Sequence, residues 1–364
     1  GSYPFYHSKL NPMKKKTTIL VWFSAIPLWL IIYFAQDNPE IIEKYYSQIF
    51  YPLVLDLHQF FLDLIPFSLG DILYLLLLLF IAKTIYKKIY NWKVKPLSMF
   101  LDFGTFVIIL VWIFHLSWGF NYHRLPLNKK LQIPYKYSEE DLVHRLDIII
   151  DESNKFHNGI VSSDTLAVKF PYSKEQIFEK IKLYNPIFQE THIRSSKVKK
   201  SLISLTLSYM GYSGYLNPFT LESQVNTKIP IQSLITTTLH ESAHQLGYAS
   251  EKEANFIAYL SAIKSDDQYI RYAGKTFAFK YLYNELYKLD SKIAKNKLKR
   301  LNPGIIKNFK EVNDFWSKYE NPFEIIFDKT YDNYLKVNGQ KNGINSYNEM
   351  VGLVINYHKN KKRF

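Results

Sequence analysis

The 364-residue sequence contains no cysteine. That absence excludes a disulfide framework, thiolate catalysis, zinc fingers and cysteine-ligated iron–sulfur sites. Any metal has to be held by histidine and carboxylate. Negative charge is also in short supply: 32 acidic residues face 46 basic ones, a net charge of +14. Such an excess invites a nucleic-acid reading. The lysines are scattered, however, apart from one cluster at Lys197, Lys199 and Lys200 and a tail at Lys359, Lys361, Lys362 and Arg363. They fit a solvated face or attraction to anionic lipid, and no nucleic-acid partner is expected. Internal repeats and low-complexity linkers are missing too. Charged residues, at 21%, are too many for a chain wholly within a membrane, and hydrophobic residues, at 47%, too many for a disordered one.

Three apolar runs stand out in the first third. Residues 17–36 carry no formal charge, and about 20 such residues cross a bilayer core as a helix. Pro27 lies inside this run, which membrane helices tolerate. A second run begins at Leu64 and carries only Asp71 before Ala82. A third, Phe103 to Tyr122, has no Asp, Glu, Lys or Arg, and its Trp and Tyr residues gather towards the exit. The expected membrane region is 13–122, with spans at about 17–36, 64–86 and 100–122. The first run is long for a signal peptide and lacks a clean cleavage site, so it is read as an uncleaved helix. Residues 1–12, which precede Met13, are read as a tag or extension.

Lysines set the expected orientation. Lys14, Lys15 and Lys16 precede the first run, and Lys83, Lys87, Lys88, Lys93 and Lys95 lie between the second and third. The segment between the first two holds only Lys44. The positive-inside rule puts the N-terminus in the cytoplasm and residues 123–364 outside it. Within residues 41–64, Ile42, Tyr46, Ile49, Leu53, Leu57, Phe60 and Leu64 form one stripe of an expected amphipathic connector helix. His115, inside the third run, is read as a hydrogen-bonded structural histidine.

In the exported part, helices are expected over Ser138–Phe156 and Ser173–Leu183, a strand over Ser201–Ser208, and loop or edge strand over 209–230. From Ile231 to about Leu301 the pattern is helical. There lies His240-Glu241-Ser242-Ala243-His244, an H-E-x-x-H. Residues four apart share a helix face, so both imidazoles can reach one cation. Glu241, offset by one position, lies beside the cation, where it can accept a proton from a metal-bound water and pass it to a leaving amine. Gly247 suits a helix end that turns back on itself. Ser250 to Glu253 reads as a capping box, which gives Glu253 a structural task and leaves Glu251 as third ligand, with Glu253 the alternative. Glu251, Ala254, Asn255, Ala258 and Ala262 form a stripe in which the alanines permit close approach to the H-E-x-x-H helix. Asn255 is an outer-shell candidate.

The array Glu251 to Asn255, E-x-x-A-N, resembles the third-ligand helix of membrane-bound zinc peptidases, and H-E-x-x-H-x-x-G resembles the opening of the metzincin motif. More closely, the chain is similar to a bacterial membrane-anchored group catalogued as domain-of-unknown-function family 3810. The matching pieces are WGFNYHRLPL (118–127), SGYLNPFTLESQVN (213–226), HESAHQLGYASEKEANFIAYL (240–260) and YLKVNGQKNGINSY (334–347). The resemblance implies a mainly α chain: three N-terminal transmembrane helices, then a zincin-like domain with a small β-sheet in the bacterial cytoplasmic membrane. In zincins an edge strand upstream of the metal helix pairs with substrate, and residues 213–226 are placed for that. Glu222 and Asn226 within it are read as fixing the loop. Tyr215, Arg271, Tyr272 and Tyr347 are candidates for an oxyanion donor. The expected function is a membrane-anchored zinc metallopeptidase acting on protein or peptide in the cell envelope. The alternative is a non-catalytic scaffold braced by Zn2+.

Overall fold

The computed structural model describes residues 12–90, 96–185, 190–191, 197–340 and 347–360. It is mainly helical, with a three-stranded sheet and a two-residue pairing of Tyr184–Asn185 with Glu190–Thr191. Three helices are long and apolar enough to cross a membrane: Lys16–Asp37, Leu69–Lys87 and Leu97–Ser117. The first and third pack together. The Trp22 indole donates to Thr105 Oγ1 (3.1 Å) and the Trp112 indole to Ser24 Oγ (3.1 Å). A Cβ at Gly104 would stand 2.3 Å from the Trp22 ring, so a small residue sets this approach. His115 bonds the Val111 carbonyl one turn back, the structural role expected of it.

The second span starts at Leu69, five residues later than the hydropathy suggested. Pro66 keeps the residue before it out of helical geometry, and Ser68 Oγ then accepts from Asp71 N (3.0 Å) to open the helix. The third ends at Ser117, and the rest of its apolar run is a buried 3-10 turn, Gly119–His123.

The connector is a π-helix, Ile42–Phe50, running into an α-helix, Tyr51–Leu62. Its buried face is Glu43, Tyr46, Ser47, Tyr51 and Leu55. This corrects the expected stripe, of which Ile49, Leu53, Leu57, Phe60 and Leu64 are exposed. A π-turn steps five residues instead of four, so Tyr51 follows Tyr46 on the inner face and the α-helical phase is lost.

Glu43 fastens this connector to the chain beyond the third span. It accepts from Arg124 Nε (2.9 Å) and Nη2 (3.0 Å) and from Lys130. Burial alone would raise its pKa, but the two cations outweigh burial and hold it at about 2. Its stabilising contribution is therefore complete above the ordinary carboxylate pKa of 4.5 and is lost as pH falls towards 2. Glu43→Gln leaves two cations facing a neutral amide and is expected to destabilise the fold by about 3–5 kcal/mol. Denaturation in detergent at pH 7 measures the loss, and the variant should show a flatter stability profile between pH 4.5 and 2.

Beyond His123, the main core is a stack of helices. Glu139–Ile160 opens on a capping box of Ser138 and Asp141, and packs on Gln268–Leu289. That helix packs on Glu251–Lys264, which packs on Ile231–Gln245. Ser173 caps a shorter helix, Lys174–Lys180. Ala262 of the alanine stripe faces Gly274 of the next helix. The sheet covers the Ile231–Gln245 helix of the stack: Ser223–Val225 is central, Val198–Lys200 runs parallel to it and Gly214–Leu216 antiparallel. The strand expected over Ser201–Ser208 is instead a turn and a helix, Ser204–Tyr209. Ser204, Leu207 and Ser208 turn inward at helical spacing, and Asn226 donates to Ser208 Oγ (2.9 Å).

A second, smaller core joins the two regions. Ala35, Tyr46, Tyr51, Leu55, Trp118 and Phe120 pack there with Leu221 and Ala249.

Candidate metal centre

His240 and His244 lie on the helix Ile231–Gln245, one turn apart, with ring centroids 4.5 Å apart and planes at 90°. The helix stops where predicted. Gly247 has φ +84°, its N–H bonds the His244 carbonyl (2.8 Å), and Tyr248 N bonds the Ala243 carbonyl (3.1 Å). This is a Schellman cap, which glycine accepts without strain. The chain doubles back so that Glu251, first residue of the next helix, returns to the histidines.

His240 Nε2 lies 3.2 Å from Glu251 Oε2, and His244 Nε2 lies 3.4 Å from Glu251 Oε1. One donor atom from each of the three falls within 4.8 Å of the others. Tetrahedral zinc with ligand bonds of about 2.0–2.1 Å holds its donors roughly 3.3 Å apart, so the residues fit such an ion. The His244 Nδ1–H donates to the Tyr248 carbonyl (2.7 Å), which aims Nε2 at the common point. Burial opposes charge on His244, yet Glu251 overrides it and holds the pKa at about 9. Burial likewise opposes charge on Glu251, and the two imidazoles hold its pKa well below 4.5. His240, His244 and Glu251 are the one group of this kind among the described residues.

Glu241 lies beside this cluster, 4% exposed, with Oε2 unpartnered. Burial pushes its pKa up to about 7, into the range of a general base at neutral pH. The edge strand passes close above it. A Cβ on Gly214 would lie 2.8 Å from Glu241 Cγ and Oε1, so only glycine admits this approach. The cluster and Glu241 open into a cleft of about 370 Å³ lined by the edge strand, Trp118, Tyr122, Asp328, Tyr331 and Tyr334, among others.

Glu253 does not join them. Its carboxylate accepts from Leu127 N (2.7 Å), and Ser250 makes no side-chain cap, so the expected capping box is absent. Asn255 lines the cleft one turn beyond Glu251 but bonds none of the three ligands among the described residues. Three oxyanion candidates are displaced. The Tyr215 ring lines the cleft, but its hydroxyl donates to Asp71 of the second span. Tyr272 is in the core, donating to Asn308 (2.9 Å), and Arg271 donates to the Asp266 carbonyl (2.9 Å) and covers Phe156. Tyr347 begins the last helix, and its side chain lies outside the described residues. Glu222 and Asn226 fix the loop as expected. Glu222 accepts from Gly70 N (2.6 Å) and Lys199 Nζ (2.6 Å), and Asn226 donates to the Tyr212 carbonyl (3.2 Å).

The sequence reading missed Tyr331, whose hydroxyl donates to Glu251. Burial, then the charge of Glu251, raises its pKa well above 10, so it keeps its proton. The only sequence signal was its place at i−3 from Tyr334, which opens one of the quoted family segments. Also missed were the donors on the last turn of the H-E-x-x-H helix and on the glycine cap behind it. Trp118 Nε1 donates to the His244 carbonyl (3.2 Å), Tyr51 OH to that of Gln245 (2.6 Å) and Arg124 to that of Gly247 (2.7 Å).

A family model described as a protein of unknown function (DUF3810) matches residues 46–355. No curated protein and no solved structure matches the chain.

Proposed function

The chain belongs to this DUF3810 family, and we propose, from its own residues, that it is a membrane-anchored zinc-dependent peptidase. The observation that carries the reading is the convergence of His240, His244 and Glu251 on one point at the wall of an open cleft, with Glu241 unpartnered beside it. The two imidazoles and the carboxylate would hold the ion. A bound zinc supplies Lewis acidity, polarising a carbonyl and making water more acidic. Glu241 accepts the proton of the attacking water and returns it to the leaving amine. Tyr331, which stays protonated, is a hydrogen-bond donor lining the cleft beside Glu251. We place this cleft on the extracytoplasmic side of the bacterial cytoplasmic membrane, from the lysine asymmetry around the spans.

Chelation and add-back provide the test. Protein purified in detergent is expected to carry one zinc per chain and to cleave members of a quenched peptide pool. Chelator should abolish cleavage and stoichiometric zinc restore it. Full zinc occupancy with no cleavage of any member would favour the non-catalytic scaffold instead.

A further inference from the structure

The walls of the cleft stand on the membrane helices themselves. Trp118 and Tyr122 follow directly on the third span, Leu97–Ser117, and line the cleft with His240 and His244. On the other side Tyr215 of the edge strand stacks on Tyr74 of the second span (6.0 Å, 26°) and bonds Asp71. Tyr74 lies only about 7–8 Å along the helix from Leu69, and Phe114 about 4–5 Å short of Ser117. Phe114 meets Tyr334 edge-on at 6.2 Å. The helix Glu324–Val337 thus joins the metal cluster, through Tyr331, to the outermost turn of the third span.

The surface flanking the cleft forms an apolar rim: on the helix that carries the lining residues Asp328, Tyr331 and Tyr334, Ile325, Ile326 and Val337 are 61%, 59% and 80% exposed, and Leu202, whose N–H bonds Asp71, is exposed together with Leu205 three residues on. Tyr and Trp at the ends of spans mark the headgroup layer, which puts this rim at that level. In the opposite direction the cleft continues. Ser213, Thr236, Thr237, Phe277 and Tyr281 are shared with a second cavity of about 430 Å³ that reaches Phe309 and Trp316. A chain leaving the bilayer between the second and third spans therefore meets the metal cluster first and the outer groove afterwards.

We propose that the substrate is a polypeptide held in the membrane by an apolar anchor, entering the cleft from the bilayer side and cut close to that anchor. This rests on the peptidase reading for the cut, but the entry route is testable without it. The chain has no cysteine, so Leu205→Cys, Ile326→Cys and, as a distant control, Leu166→Cys each place one bimane label. In vesicles containing lipids with a nitroxide near the headgroup, labels at 205 and 326 should be quenched severalfold more than the label at 166. Equal quenching at all three overturns bilayer-side entry, whatever the turnover.

The second arm uses random-sequence 30-residue peptides in the same vesicles, N-terminally acetylated, palmitoylated, or fused to a transmembrane segment. Anchored peptides should be cut at least tenfold faster than acetylated ones, within about ten residues of the anchor, roughly 33 Å of extended chain. Cleavage of only one anchored form identifies the anchor. Cleavage spread evenly along the anchored peptides, or equal rates for the acetylated form, overturns the substrate assignment. No cleavage of any form, with quenching as expected, overturns the peptidase reading and the substrate assignment with it.

Discussion

Purified Glu251→Ala protein is expected to lose its metal, while Glu253→Ala protein keeps it. The two carboxylates are two residues apart on one helix, Glu253 buried and Glu251 half-buried at the cleft wall. Only Glu251 faces the imidazoles, at 3.2 and 3.4 Å. Losing an outer partner of a ligand typically costs about 10–100-fold in metal affinity, and losing a ligand itself costs more. Glu253→Ala instead strips the acceptor from Leu127 N, a buried donor, which costs about 1–3 kcal/mol of stability with the metal site intact. Zinc content by atomic absorption after dialysis separates them. Zinc lost from the second variant alone would falsify the assignment of Glu251.

The next largest effect is expected from Glu241→Gln. Glutamine has the same shape, so it fits under Gly214, where a larger group would collide. The amide cannot accept the water's proton. Hydrolysis should fall by about 10²–10⁴-fold, the usual worth of a general base, with zinc content unchanged. His244→Ala should lose both. Peptide turnover and metal content measured on the same preparation check the split. Turnover near wild type in Glu241→Gln protein would remove Glu241 from the chemistry.

The cluster of His240, His244 and Glu251 was legible in the sequence from helix spacing, although the capping box used to set Glu253 aside is absent and a bond to Leu127 N occupies that carboxylate instead. Four residues separate His240 from His244, Gly247 announces the turn, and Glu251 follows at the distance a tight reversal requires. Elsewhere the local pattern was ambiguous or overridden. The serine–leucine alternation of Ser201–Ser208 fits a strand as readily as a helix carrying Ser204 and Ser208 inward, and contacts with Asn226 and Thr227 decide for the helix. The connector stripe failed because one π-turn shifts the phase, and nothing in the composition of residues 42–50 marks it. Tyr215 looked like an oxyanion donor until Asp71, 144 residues earlier, took its hydroxyl. Tyr331 was invisible for the same reason, since its partner is 80 residues away.

Two donors from the N-terminal 122 residues, Tyr51 and Trp118, hold the last carbonyls of the H-E-x-x-H helix. One of them, Trp118, grips the carbonyl of His244 itself. A bilayer with shorter acyl chains makes spanning helices lean further, and a lean of the third helix is delivered straight to the backbone of that histidine. The placing of His244 is thus tied, through one indole, to the seating of the third apolar helix.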